Sequence, residues 1–169
     1  MTTQQILFAG GSGTVGRTAI KWFRERYPDV PVLVAGRNLQ AAGEVAREVG
    51  AAQAVAIDLD KPRLGLDDGV AVGAVVMLAP DDGLKGWSYA QDLGIPYLNI
   101  GNGLVEVGPE LALFAHRATA APVVLASQWA AGAAVFLALD SVKGFEQVRS
   151  ITIGVVLDEK DAAGPLALE

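Results

Sequence analysis

The sequence predicts an α/β protein built on a doubly wound parallel sheet of about six to seven strands, with helices on both faces. Three observations lead there. Short β-rich runs alternate with longer helical stretches, the order that parallel strands require because each neighbouring pair is joined by a crossover. The run "GAVVML" at 73–78 is apolar without alternation, as a strand covered on both faces should be. Four glycines fall between positions 10 and 16, directly after the first apolar run, where a first strand would turn into a first helix.

The elements follow in order. Residues 5–9 read as the first strand and 14–27 as the first helix, with Val15, Ala19, Trp22 and Phe23 as its apolar face. The second strand spans 31–35, and a helix at 39–49 stops at Gly50, a residue suited to a helix C-cap. Strands three and four are 53–57 and 73–78, a helix follows at 85–93, and "IPYLNI" at 95–100 is strand five. Then come a helix at 107–120, strand six at 122–126, a helix at 129–142 and an alternating run at 148–157 that reads as strand seven. Residues 1–145 are expected to form one domain. Residues 146–169 read as its final strand and the start of a second domain, because the tail "DEKDAAGPLALE" turns polar, passes Gly-Pro and stops. A last strand without its continuation would leave an apolar edge, so self-association, a homodimer for example, is expected.

Composition narrows the function. The 169 residues are 51% apolar and include 20 glycines, in keeping with a soluble α/β protein with a sizeable core. Thirteen Lys and Arg against 19 Asp and Glu leave a net charge of −6, which argues against nucleic acid or an anionic membrane surface as partner. With no cysteine there is no disulfide frame, thiolate nucleophile or cysteine-ligated zinc, and the single histidine, His116, excludes a multi-histidine metal site. The start, 1–5, carries no basic run, and the apolar stretch after it breaks at Gly10, too short for a signal core or a membrane span, so the cytoplasm is expected.

The glycine run can be read as Gly11-x-Gly13-x-x-Gly16 or as Gly10-x-x-Gly13-x-x-Gly16, the second spacing being common in reductases that use NADP. Placed between a strand and a helix, it has the context that gives such a motif meaning. One glycine makes the tight turn, one lets a pyrophosphate approach backbone N–H groups at the helix N-terminus, and one lets helix and strand pack closely. Ser12 and Thr14 add hydroxyls, and Val15 lies in the first helical turn. An NAD site usually has Asp or Glu about 20 residues further on, to accept from the ribose hydroxyl. Here "VLVAGRN" supplies Gly36, Arg37 and Asn38 instead, and a guanidinium suits a 2′-phosphate, so NADP is expected rather than NAD. Asp58, with Leu59 beside it, is a candidate for the adenine; Asp58 or Asp60 would serve equally as the N-cap of a short helix. Ala79 and Pro80 after strand four, and Asn99, Gly101 and Asn102 after strand five, would line the same carboxyl edge.

The motifs "LFAGGSGTVGR", "VLVAGRN", "AIDLD", "VVMLAP" and "GIPYLNIGNG" together resemble the N-terminal Rossmann-type domain of saccharopine dehydrogenase-like oxidoreductases, from Ile6 to about Leu157. The resemblance implies NADP(H) as cofactor and a small-molecule imine, amino acid or related carbonyl as substrate. It also implies Gly10, Gly13, Gly16, Arg37 and Asp58 as cofactor contacts. It further implies a second α+β domain that supplies much of the substrate pocket and often the dimer interface. The chain departs from the family after strand six, where "ASQWAAGAAV" replaces the usual glycine-proline turn. A short-chain dehydrogenase would need Tyr and a Lys four residues on, but Tyr27, Tyr89 and Tyr97 are followed at that spacing by Pro31, Leu93 and Gly101. His116 lies inside a helical stretch and reads as a surface or packing residue. Trp129 is either a wall of the nicotinamide pocket or core, and Lys85 and Tyr89 are candidates for polar contacts. No catalytic residue is evident. The alternative is a complete, non-catalytic module that senses NADP(H) or regulates a partner; weaker still is an unrelated protein of this fold binding another phosphate ligand.

Overall fold

The computed structural model describes residues 4–50, 52–100, 104–116, 121–125 and 132–154, with only the backbone at 104–106. Six strands form one sheet: β1 (Gln5–Ala9), β2 (Val32–Gly36), β3 (Ala52–Ala56), β4 (Val72–Met77), β5 (Tyr97–Asn99) and β6 (Val123–Leu125). Their order is β3-β2-β1-β4-β5-β6, and every neighbouring pair is parallel. The helices are α1 (Thr14–Arg26), α2 (Leu39–Val49), α3 (Lys85–Leu93), α4 (Leu104–His116) and α5 (Ala133–Ser141).

Alternation along the strands splits the core into two layers. Leu7, Ala9, Leu33, Ala35, Val75, Met77 and Tyr97 point to one face and pack with Trp87, Tyr89 and Ala90 of α3. Phe8, Val32 and Val34 point to the other and pack with Ile20 of α1 and Ala42, Val45 and Ala46 of α2. β1 and β2 are buried along most of their length, as central parallel strands are.

Differences from the sequence-based expectation have local causes. The apolar stripe of α1 is Gly16, Ile20 and the partly buried Phe23; Val15 and Trp22 are exposed, at 48% and 69%. Gly16 presses α1 against the preceding loop and so sets the rotation of the helix. Phe23 instead packs between Phe8 and Tyr27 with its ring tilted to both, the centroids 5.5 and 5.2 Å away. The crossover from β3 to β4 holds no α-helix, only a 3-10 turn at Pro62–Gly65. The described part of the expected seventh strand, 148–154, is not in the sheet, and 155–157 lie outside the described residues. Gly50 caps α2 at φ 63, as its position predicted.

Candidate functional site

Strand order reverses between β1 and β4, and there an open α/β sheet forms a crevice beyond the carboxyl ends of its strands. Gly10, at φ 81, turns the chain out of β1. A Cβ on Gly10 would stand 3.0 Å from Ala79 Cβ and from the Leu78 carbonyl, so the loops flanking the crevice touch here. The N–H groups of Gly10 and Gly11 both donate to Ala35 O, at 2.9 and 3.0 Å, which ties the glycine loop to the end of β2.

The other glycines divide by what demands them. A Cβ on Gly11 would lie 2.8 Å from Phe8 O, and one on Gly16 would collide with Gly10 O and lie 2.6 Å from Gly11 Cα. Packing within the chain therefore requires both. Gly13 is different: its φ is an ordinary −76, it is exposed, and a Cβ there would crowd only Gly10 O at 3.3 Å. Gly13 is the N-cap of α1 and brings no capping side chain. The N–H groups of Thr14, Val15 and Gly16 precede the first intrahelical bond, Arg17 N–H to Gly13 O at 2.9 Å, and they point out of the helix start. Thr14 and Val15 are exposed.

At the end of β2, a Cβ on Gly36 would meet Ser12 Oγ at 2.8 Å, so the glycine loop lies against this strand end too. Arg37 follows, exposed, and makes no ion pair among the described residues. Asn38 is the N-cap of α2, its Oδ1 accepting from Ala41 N–H at 3.1 Å, which leaves the amide nitrogen as the donor for any ligand. Neither Asp58 nor Asp60 is a helix N-cap: Lys61 holds that position at the 3-10 turn. Asp58 Oδ1 instead accepts from Asp60 N–H at 3.0 Å, and Oδ2 lies 3.6 Å from Lys61 Nζ. Leu59 packs its side chain on the core, and Pro80 is exposed beyond Ala79.

On the β4–β5 side the structure holds a buried polar cluster that sequence reasoning missed. Asp81, 2% exposed, accepts from the N–H groups of Lys85 (2.7 Å), Gly86 (3.2 Å) and Trp87 (3.0 Å) and from Tyr97 Oη (3.2 Å). Burial, then the neighbouring carboxylates of Asp81 and Glu110, push the Tyr97 phenol far above its ordinary value. Asn99 is buried and donates to Glu110 Oε1 at 2.8 Å, so its side chain is bound to α4. The signal for Asp81 was present as an acidic residue just before a helix; Glu110 sits in an apolar helix and gave none. Gly101, Asn102 and Trp129 lie outside the described residues. His116 is exposed at the end of α4, and Lys85 and Tyr89 line a cleft on the α3 face.

The crevice thus gathers Gly10–Gly13, Gly36, Arg37 and Ala79 around one helix N-terminus, with Asp58 at the end of the adjacent strand. No protein-family model matches the chain, and no curated protein does. Among solved structures the chain is similar to the apo saccharopine dehydrogenase (L-Glu forming) of Saccharomyces cerevisiae, with TM-score 0.51 and 21% identity. That match covers 63% of this chain and 23% of the yeast enzyme, so the chain spans about a quarter of that protein's length. It is also similar to a short-chain dehydrogenase/reductase from Vibrio parahaemolyticus, with TM-score 0.52 and 12% identity, covering 71% of this chain and 76% of the other. At these identities the likeness establishes the fold: this is a Rossmann-type α/β domain. No helix among the described residues is long and apolar enough to cross a membrane.

Proposed function

We propose that the chain is the NADP(H)-binding domain of a saccharopine dehydrogenase-like oxidoreductase. Its reaction is hydride transfer to or from an imine, amino acid or related carbonyl substrate, with substrate contacts supplied by a further domain. The single observation that supports this most is Arg37 at the end of β2, exposed and without an ion pair among the described residues, beside a glycine loop whose helix N-terminus has no side-chain cap. The N–H groups of Thr14, Val15 and Gly16 fit the pyrophosphate, because the helix dipole favours an anion there. The Arg37 guanidinium fits a 2′-phosphate through paired hydrogen bonds, and no carboxylate stands at the end of β2 to prefer the bare ribose. When bound, the nicotinamide supplies or accepts the hydride. The chain's own part is to hold the pyrophosphate and the 2′-phosphate, with Ala79 and Pro80 beside the nicotinamide ribose and Asp58 beside the adenine.

Calorimetric titration with NADPH and NADH tests the reading. NADPH is expected to bind at least about tenfold more tightly, roughly 1.4 kcal/mol, and Arg37→Ala to remove that preference while leaving NADH unaffected. Equal affinities in the unsubstituted chain would overturn the preference for NADP, tighter NADH binding would favour NAD, and binding of neither would overturn the nucleotide reading. The same proposal places the protein in the cytoplasm and has it self-associate through apolar residues exposed on α5, Phe136, Leu137 and Leu139. A monodisperse monomer in sedimentation at high concentration would remove that part.

A further inference from the structure

The face of the sheet opposite α1 and α2 carries a second concavity. Because a 3-10 turn replaces a crossover helix between β3 and β4, the flank of α3 is left uncovered, and a cleft of about 350 Å³ runs between turn and helix. The turn is shaped unusually. Arg63 and Leu64, neither a glycine, are both left-handed, at φ 53 and φ 59. Such a conformation is disfavoured for residues with a Cβ and survives only where the surroundings hold it. Leu64, 1% exposed, is pinned in the core, which fixes its neighbour Arg63 on the cleft wall.

Opposite, α3 offers Lys85, Ser88, Tyr89 and Asp92, which share one helix face by their spacing. Tyr89 is 6% exposed, and its hydroxyl is buried with no hydrogen-bond partner among the described residues. A buried hydroxyl is nearly always satisfied, so an orphan on a cleft wall points to a partner from outside the chain. Burial raises the Tyr89 phenol and the Arg63 charge lowers it, which keeps it a neutral donor beside a guanidinium. The donors are Arg63, Lys61, Lys85 and two hydroxyls, against the carboxylates of Asp60 and Asp92. Arg63 engages the exposed Asp68 through Nε at 3.4 Å, and a guanidinium has four further N–H donors. Lys61 lies 3.6 Å from Asp58 in an exposed pair that a ligand can displace. Pro62, Leu64 and Leu93 give the cleft an apolar floor.

We propose that this cleft is a binding site for a small organic oxyanion, a carboxylate or a phosphate ester with a compact apolar body, held by Arg63 and Lys85 and by the Tyr89 hydroxyl. Its lining includes neither the glycine loop nor Arg37, and it borders the crevice only through the Lys61–Asp58 pair. It gives the domain a place where an anionic metabolite binds to the opposite layer of the core.

The test is an amide-resolved NMR titration of the full chain with inorganic phosphate and with benzoate, against sodium chloride at equal ionic strength. Saturable shifts at 61–65 and 85–92 are expected with one or both probes, without matching shifts at 10–16; the probe that binds more tightly identifies the headgroup. Arg63→Gln should weaken binding about tenfold and Tyr89→Phe about threefold. Tyr89→Phe removes an unsatisfied buried hydroxyl, so it should melt no lower than the unsubstituted chain in probe-free buffer, which rules out misfolding as the cause. Shifts that fail to saturate, that chloride reproduces, that appear only at 10–16, or that persist undiminished in both variants would each overturn the proposal.

Discussion

Two helices begin at the crevice, one on each side of the point where strand order reverses, and they treat their N-termini in opposite ways. α1 starts at Gly13, exposed and without a capping side chain. α3 starts over Asp81, which is 2% exposed and accepts three of its first N–H groups. Both ends carry the same partial positive charge. At α3 the chain has spent that charge on its own buried carboxylate, so an anionic ligand would meet an occupied, negatively charged site. At α1 the donors are left to whatever enters. The pairing of a closed end with an open one supports the proposed phosphate site at α1 more firmly than the glycines alone do, since three of the four glycines are explained by turning or packing.

The most severe way to break the comparison is to empty the closed end. Asp81→Ala would strand the buried N–H groups of Gly86 and Trp87, the half-buried one of Lys85 and the Tyr97 hydroxyl, at a cost of about 3–4 kcal/mol. Urea denaturation should show the lower midpoint; a loss below about 1 kcal/mol would mean that α3 finds another cap. The second test separates two glycines of one motif. Gly16→Ala drives a methyl into the backbone of Gly10 and Gly11, where no flexible side chain can give, and should cost about 1–3 kcal/mol. Gly13→Ala should cost under about 1 kcal/mol, yet lower NADPH affinity at least about tenfold by crowding the ligand. Equal stability losses, or unchanged affinity in Gly13→Ala, would erase the distinction between a glycine kept for the fold and one kept for the ligand.

How much of this was legible in the sequence depends on distance along the chain. β1, α2 and α3 fall at 5–9, 39–49 and 85–93 as periodicity and Gly50 predicted, because local patterning and a local cap decide them. The loop of four glycines and Arg37 were legible for the same reason: the motif and the strand end are each contiguous. What was not legible is contact between distant positions. Nothing near Asp81 in the chain announces Tyr97, and nothing near Asn99 announces Glu110, since those pairs exist only once β5 lies beside β4 and α4 folds back. The exposure of Trp22 was misread because a helix's rotation is set by its tightest contact, here Gly16 on Gly10, and not by its largest apolar side chain. The expected strand at 148–157 rested on alternation alone, which cannot reveal whether an open sheet edge receives it.

The finest probe of the closed end is the phenol that completes it. Tyr97→Phe deletes the hydrogen bond to Asp81 Oδ2 and should cost about 1–2 kcal/mol, less than the loss from Asp81→Ala. Its pH signature is specific. The folded protein raises the phenol above the unfolded value of 10.0, so the native state holds this proton where the unfolded chain has released it. The stabilisation is therefore complete below pH 10 and declines as pH rises above it, by at most about 1.4 kcal/mol per pH unit from this group. Denaturation midpoints measured from pH 8 to 11 should fall more steeply for the unsubstituted chain than for Tyr97→Phe. Parallel curves would mean that Tyr97 ionises freely, and that the α3 end is less tightly closed than the α1 end is open.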